Sequence, residues 1–314
     1  MKNINKVLTI AVAVLMLASC GDDFLTVYPR NSLVSGGDAT EEIVKQNIDG
    51  AYQILLFESY ANGNNNGIPY FSDFRSDDLY KGGGNKDDQV AFNYMAQFEC
   101  TSVNVSAGWW TIYYAGLKRC NGALDAIDHA VNIDAATLAR YRAETLTLRA
   151  YFVHWLWKTW GNIPYFDKVW TEPPYVAPQL SFDELYPKMI ADLDAAIATP
   201  ELPLAVSGAE TGRIGKAMAM MTKARVVMYK NDQSKYAEVL ADMNTIIGSG
   251  SFELIMNSPD ATVAANPIDW MFMREGENCR ESIFETQNIS EGKSWGSSWH
   301  GFGNYTPCVI SPRD

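Results

Sequence analysis

Helical periodicity in the middle of the chain constrains the fold more than any other feature. From Trp109 to His129, the residues Tyr113, Leu117, Cys120, Leu124 and Ile127 recur at steps of four and three, the spacing of one helical face. A second run follows almost at once. Between Ala135 and Trp160 it carries Leu138, Thr145, Leu148, Phe152, Trp155 and Leu156, and it stops at Gly161 with Pro164 just beyond. Each run has an apolar stripe to bury, and only a few residues around 132–134 separate them. The two helices are therefore expected to fold back on each other as an antiparallel hairpin.

The same unit recurs on either side. Thr40 to Tyr60 places Ile43, Ile48, Ala51 and Leu55 near one face, with Glu41 and Glu42 where the helix dipole favours acid. Ser181 with Glu184 three residues later reads as a capping box, and Leu180 with Leu185 as a hydrophobic staple, ahead of the face Leu185, Met189, Leu193 and Ile197. Pro187 removes an interior hydrogen bond and leaves the start of that helix open to distortion. Gly212 to Tyr229 sets Ala217, Met221, Ala224 and Met228 on one face, and Ser234 to Ile247, closed by Gly248, is its partner. Helices in successive pairs imply a mostly α, tetratricopeptide-like scaffold of helical hairpins, although no regular 34-residue repeat with the consensus positions is found. Two long intervals interrupt it. Residues 61–108 are rich in Gly, Asn and Asp and hold the exposed-looking Tyr70, Phe71, Arg75, Asp77, Asp78, Tyr80, Phe92 and Tyr94. Residues 250–314 read as loops and a few short strands, such as Ser282 to Gln287, with Trp295, Trp299, His300, Phe302 and Tyr305 among glycines. Loops this long in a compact domain are usually functional.

The chain begins with Lys2 and Lys6 before an uncharged apolar run from Val7 to Ala18, shorter than the ~20 residues that span a bilayer. It ends Leu17, Ala18, Ser19, Cys20, which looks like a bacterial lipobox. Residues 1–19 are accordingly expected to be a signal peptide and Cys20 a lipidated mature N-terminus, which anchors a soluble body without a transmembrane helix. That body is acidic. The formal charge is -12, and no window concentrates Lys or Arg into the stripe that phosphate backbones require, which argues against a nucleic-acid partner. Cys100, Cys120, Cys279 and Cys308 show no Cys-x-x-Cys pair and no His at ligand spacing, so no zinc site is expected and any disulfide pairing stays open.

Competing motifs fail on context. Gly292, Lys293, Ser294, Trp295 and Gly296 spell a nucleophile elbow, but no helix follows and His300 is only six residues on. Asn62, Asn64, Asn66, Gly67 and Asp73 fall on calcium-loop positions with a single carboxylate, which reads better as a flexible polar loop. His154, among Tyr151, Trp155 and Trp157, reads as a packed core histidine. No phosphate loop or dinucleotide fingerprint occurs, so no cofactor is expected.

In this order, Cys20 to Leu25 with Pro29, Trp110 to Asn121, Ala143 to Phe152 and Trp160 to Pro164 together resemble the SusD/RagB family of surface lipoproteins. Cys20, Gly21, Asp22, Asp23, Phe24 and Leu25, with Pro29 behind, are similar to its opening, and Trp110 to Asn121 to its Trp, Tyr and Ala-Asn helix. The most specific match runs Ala143, Glu144, Leu148, Arg149, Ala150, Tyr151, Phe152 and then Trp160, Gly161, Asn162, Ile163, Pro164. Asp192, Leu193 and Ala196 before Leu202 and Pro203, Gly212, Arg213 and Ile214 with Lys223 and Ala224, and a strand at Glu281 to Phe284 continue it. Members are typically longer, so residues 20–314 are expected to be the N-terminal part of a longer family fold. The resemblance implies a non-catalytic glycan or oligosaccharide receptor, lipid-anchored at the outer-membrane surface. Its partner would be a SusC-like TonB-dependent transporter. A peptide-capturing lid and a surface glycosidase stand as alternatives. Sugar rings need aromatic platforms beside hydrogen-bonding side chains. Tyr70, Arg75, Asp77, Asp78, Tyr80, Tyr94, Trp295, Trp299 and Tyr305 are the candidate glycan-binding residues.

Overall fold

The computed structural model describes residues 37–58, 60–61, 64–65, 75–77, 79–81, 85–87, 90–287 and 310–312. The helices are α1 (Glu41–Tyr52), α2 (Val90–Ala96), α3 (Gly108–Asp128), α4 (Ala135–Trp160), α5 (Phe182–Ala198), α6 (Lys216–Lys230), α7 (Tyr236–Gly248) and the short α8 (Pro267–Met271). Among the described residues, three antiparallel two-stranded ribbons accompany them: β1 (Tyr60–Ala61) with β2 (Asn64–Asn65), β3 (Leu79–Lys81) with β6 (Ile310–Pro312), and β4 (Ile163–Pro164) with β5 (Gln179–Leu180). Apart from the short α2, each helix from α1 to α7 packs on the next in order: α1 on α3, α3 on α4, α4 on α5, α5 on α6 and α6 on α7. The protein is thus mostly α with a few short strands, as the periodicity predicts.

Local signals account for the element ends. Asp134 caps α4 by accepting the Thr137 N–H at 2.9 Å, and Gly161 closes it with its N–H on Trp157 O at 2.9 Å. The capping box forms: Glu184 donates its N–H to Ser181 Oγ at 3.3 Å, and Ser181 donates its N–H to Glu184 Oε2 at 2.8 Å. Helix α5 runs unbroken through Pro187. The residue that loses its hydrogen bond there, Asp183, is exposed, so water can take its carbonyl.

The α3 stripe Tyr113, Leu117, Cys120, Leu124 and Ile127 is buried as expected: Tyr113, Leu117 and Cys120 share a core with Leu148, Phe152, Trp155 and Leu156 of α4, and Ile127 shares a second one with Val44 and Ile48 of α1. Gly116 makes the crossing of α3 and α4 close, since a Cβ there would lie 2.6 Å from Phe152 Cδ2. Four expectations change. On α1 the inward residue is Val44, 0% exposed, while Ile43 is 37% exposed, because the true stripe is Val44, Ile48 and Ala51. On α6, Met228 points outward at 56% exposure, and Val226 and Val227 are buried instead. Part of 61–108 is helical: α2 turns Phe92 inward to 2% exposure, where it packs with Met95 in the main core. Residues 282–287 form no strand; they lie in irregular backbone against the scaffold, with Ile283 and Phe284 touching the core.

Polar residues tie the stack together from within. Glu144 of α4 is 0% exposed and accepts from four groups: Arg213 Nη2 (2.7 Å) and Nε (3.3 Å), Arg140 Nε (3.0 Å) and Tyr52 Oη (2.8 Å). Tyr52 Oη in turn accepts the Ile214 N–H at 2.8 Å. Burial, then the neighbouring Glu144 charge, pushes the Tyr52 pKa well above its ordinary value and keeps the phenol a donor. One helical turn on, Arg149 grips Asp192 of α5 through two bonds of 2.7 Å and reaches Asn121 Oδ1 of α3 at 3.1 Å. Asn121 passes the link on by donating to Phe166 O at 2.8 Å. Burial opposes the Arg149 charge, but Asp192 outweighs it and holds the guanidinium more firmly protonated than usual. Further along, the nearly buried Lys223 of α6 meets Asp194 of α5 at 2.6 Å and Glu238 of α7.

His154 is buried as expected, with its ring against Trp157 at 5.7 Å and Tyr229 at 6.1 Å. Burial, helped by the charges of Lys158 and Arg225, pushes its pKa down to about 3.

Two stability predictions follow from these groups. Arg149→Met should cost about 3–5 kcal/mol in urea unfolding, because it strands Asp192 in the interior. The double variant with Asp192→Leu should recover much of that loss; no recovery would mean the cost is packing rather than an orphaned charge. Above about pH 6.5, His154 is neutral both folded and unfolded; between there and about 3 only the unfolded chain takes the proton, so stability falls as pH falls. Going from about pH 7 to about pH 4.5, His154→Phe should therefore lose about 2 kcal/mol less than the parent. An equal loss would remove His154 from the acid response.

Candidate functional site

A strand from each of the two aromatic-rich intervals pairs with the other. Strand β3 carries Tyr80 at its centre and pairs antiparallel with β6, in the register Leu79 with Pro312, Tyr80 with Ser311 and Lys81 with Ile310. Residues some 230 apart in sequence are thereby held side by side. A ladder a few residues long is marginal by itself. Its support is α2, which packs against β3 and is itself anchored in the core by Phe92 and Met95.

Of the candidate residues, Arg75 and Asp77 are exposed at the surface, and Tyr94 is half-buried on α2. Tyr80 lies in β3. Tyr70, Asp78, Trp295, Trp299 and Tyr305 lie outside the described residues, as do residues 1–19, the lipidation residue Cys20, the Gly292 to Gly296 motif, Cys308, and Asn62, Asn66, Gly67 and Asp73 of the calcium-like pattern. Phe92 is a packing group, not a platform. Cys100, Cys120 and Cys279 carry free thiols, and burial pushes the Cys120 thiol pKa up. Among the described residues no cluster of His, Cys, Asp and Glu could hold a metal, and no helix is long and apolar enough to cross a membrane.

Sequence reasoning missed a cavity of about 310 Å³ between the end of α1, the 3-10 turn Gln53–Glu58, the turn at 211–213 and residues 284–287. Its walls are Leu55, Leu56 and Phe284, with Gln53, Thr211 and Arg213 as polar groups. Gly212 shapes it. At φ +89° it is in the left-handed region, and a Cβ there would lie 2.6 Å from Gln287 Cγ, so glycine alone lets the 284–287 segment lie over the turn. Gln53 is oriented from behind: Arg119 Nη1 donates to its Oε1 at 2.9 Å and to Gly50 O at 2.6 Å. A guanidinium only donates, so the amide oxygen must face it and Nε2 is the edge left over. The signal was present in Gly212, Arg213 and Phe284, but nothing in their spacing shows that they converge.

Comparison with known proteins agrees with this architecture. The family whose pattern matches residues 23–228 is SusD-like, described as starch-binding and associating with the outer membrane. Surface glycan-binding protein A from Bacteroides fluxus is 46% identical, with a TM-score of 0.74, covering 83% of this chain and 53% of that one. Surface glycan-binding protein A from Bacteroides thetaiotaomicron, solved in complex with laminarihexaose, is 35% identical with a TM-score of 0.70, covering 78% and 49%. The SusD-like protein P38 from Formosa agariphila is 24% identical over 260 residues, which are 82% of this chain and 48% of that protein. The chain thus spans about half the length of these relatives.

Proposed function

The chain belongs to the SusD-like family, and from that premise we propose that it is a non-catalytic surface receptor for a neutral glucan of the laminari-oligosaccharide type. The observation that supports the reading is the β3–β6 ribbon, in which Leu79–Lys81 pairs with Ile310–Pro312 beside a helical scaffold. The choice of ligand rests on the similarity to a glycan-binding protein solved with laminarihexaose.

The chemistry supports it. A pyranose ring offers an apolar C–H face and a hydroxyl edge. Tyr70, Tyr80, Tyr94, Trp295, Trp299 and Tyr305 supply flat surfaces, and Arg75, Asp77 and Asp78 supply bonds to hydroxyls. An uncharged polysaccharide is not repelled by a chain of net charge -12. In this reading Cys20 carries lipid at the outer membrane and the helical scaffold sits on a SusC-like TonB-dependent transporter. The receptor holds the glycan over the pore and no bond is made or broken.

Incubation of the full chain with a polysaccharide panel tests the class. Retarded migration in gels containing laminarin, with no new reducing ends, is the expected result; saccharide release would make it a glycosidase, and binding of peptides alone would make it a peptide lid. Trp295→Ala and Tyr80→Ala should each weaken laminarihexaose binding about tenfold, as the loss of a stacking platform implies, with the melting temperature little changed. Unchanged affinity in both would remove these loops from the site.

A further inference from the structure

We propose that the cavity over Arg213 is a subsite for one pyranose unit of the bound glycan, an inference that rests on the glycan-binding reading above. At about 310 Å³ it falls at the lower end of the ~300–1,000 Å³ range of small-molecule sites, the size class of a single ring with its hydroxyls. Leu55, Leu56 and Phe284 form the apolar wall that a C–H face requires. Gln53, Thr211 and Arg213 offer an amide, a hydroxyl and a guanidinium to the hydroxyl edge.

Charge selects the ligand class. Arg213 looks like an anion site, yet its Nε and Nη2 donate to the buried Glu144, which Arg140 shares, and Glu210, paired with Arg140 and 3.6 Å from Arg213 Nε, supplies the second negative charge of a balanced cluster. Among the described residues no hydrogen bond engages its Nη1, so a donor is left without a net positive field. Asp49 also lines the cavity and disfavours phosphate or carboxylate. A neutral polyhydroxylated ligand fits that combination, and an anionic one does not. Gln53 is held in place by Arg119 before any ligand arrives, so little ordering is needed on binding.

Position joins the cavity to the loops. The 3-10 turn Gln53–Glu58 runs directly into residues 59–74, and 284–287 run directly into 288–309. Along the chain, the cavity thus adjoins the segments that lead to Tyr70 on one side and to Trp295, Trp299 and Tyr305 on the other.

Calorimetry of the full chain with laminarihexaose as probe, together with hydrogen exchange, tests the subsite. Thr211→Trp fills the cavity from its exposed rim and should weaken binding about tenfold; Gln53→Leu removes the amide edge and should weaken it about threefold. Amides of 53–56 and 284–287 should gain protection when the hexasaccharide binds. If Thr211→Trp does not fold, Gln53→Leu and the exchange data decide. Parental binding that is undiminished in Gln53→Leu, with no protection at these segments, overturns the subsite and leaves the receptor reading intact. Absence of any saccharide binding by the parent overturns both.

Discussion

A carboxylate with no exposed surface is the constraint around which this scaffold is assembled. An unpaired buried charge is far too costly to keep, so Glu144 can be buried only if its partners arrive with it. They come from three places: Tyr52 at the end of α1, Arg140 one turn back on α4, and Arg213 from the turn before α6. Meeting those demands fixes how α1, α4 and α6 approach one another. Arg149 repeats the logic five residues on, binding α4 to α3 and α5, and Lys223 repeats it between α5, α6 and α7. Apolar stripes alone would tolerate sliding of one helix along the next. Paired groups with directional bonds tolerate much less.

This arrangement also assigns the labour. Of the residues that carry the family resemblance, Asn121, Glu144, Arg149, Asp192 and Lys223 are interior ties. The segments between helices carry side chains that need not satisfy the stack. Arg213 stands at the boundary. One side of its guanidinium belongs to the Glu144 network and the whole residue lines the cavity, so the scaffold's most buried charge sets the electrostatic character of a surface pocket.

The sequence was most legible where one physical cause acted alone. Ser181 and Glu184 form their capping box because both partners are local, and the α3 stripe from Tyr113 to Ile127 was readable because a 21-residue helix leaves no doubt about its phase. Phase was lost where the stripe was short or mixed. On α1, Ile43 and Val44 are both apolar neighbours, and only packing against α3 chose Val44. On α6, Met228 keeps the period of Ala217, Met221 and Ala224, but in the last turn the face that packs is that of Val226 and Val227. Phe92 looked like a loop aromatic because a seven-residue helix has too few turns to announce itself among glycines and asparagines.

By itself, then, the sequence determined where the long helices lie, that they come in pairs, and to which family they belong, because periodicity, caps and motif order are properties of neighbouring residues. Tertiary structure alone decided which signature residues are buried partners, that Leu79 to Lys81 finds Ile310 to Pro312, and that Gln53, Arg213 and Phe284 surround one cavity. Each of these is a meeting of residues far apart in the chain, and no local preference specifies such a meeting until the helices are stacked.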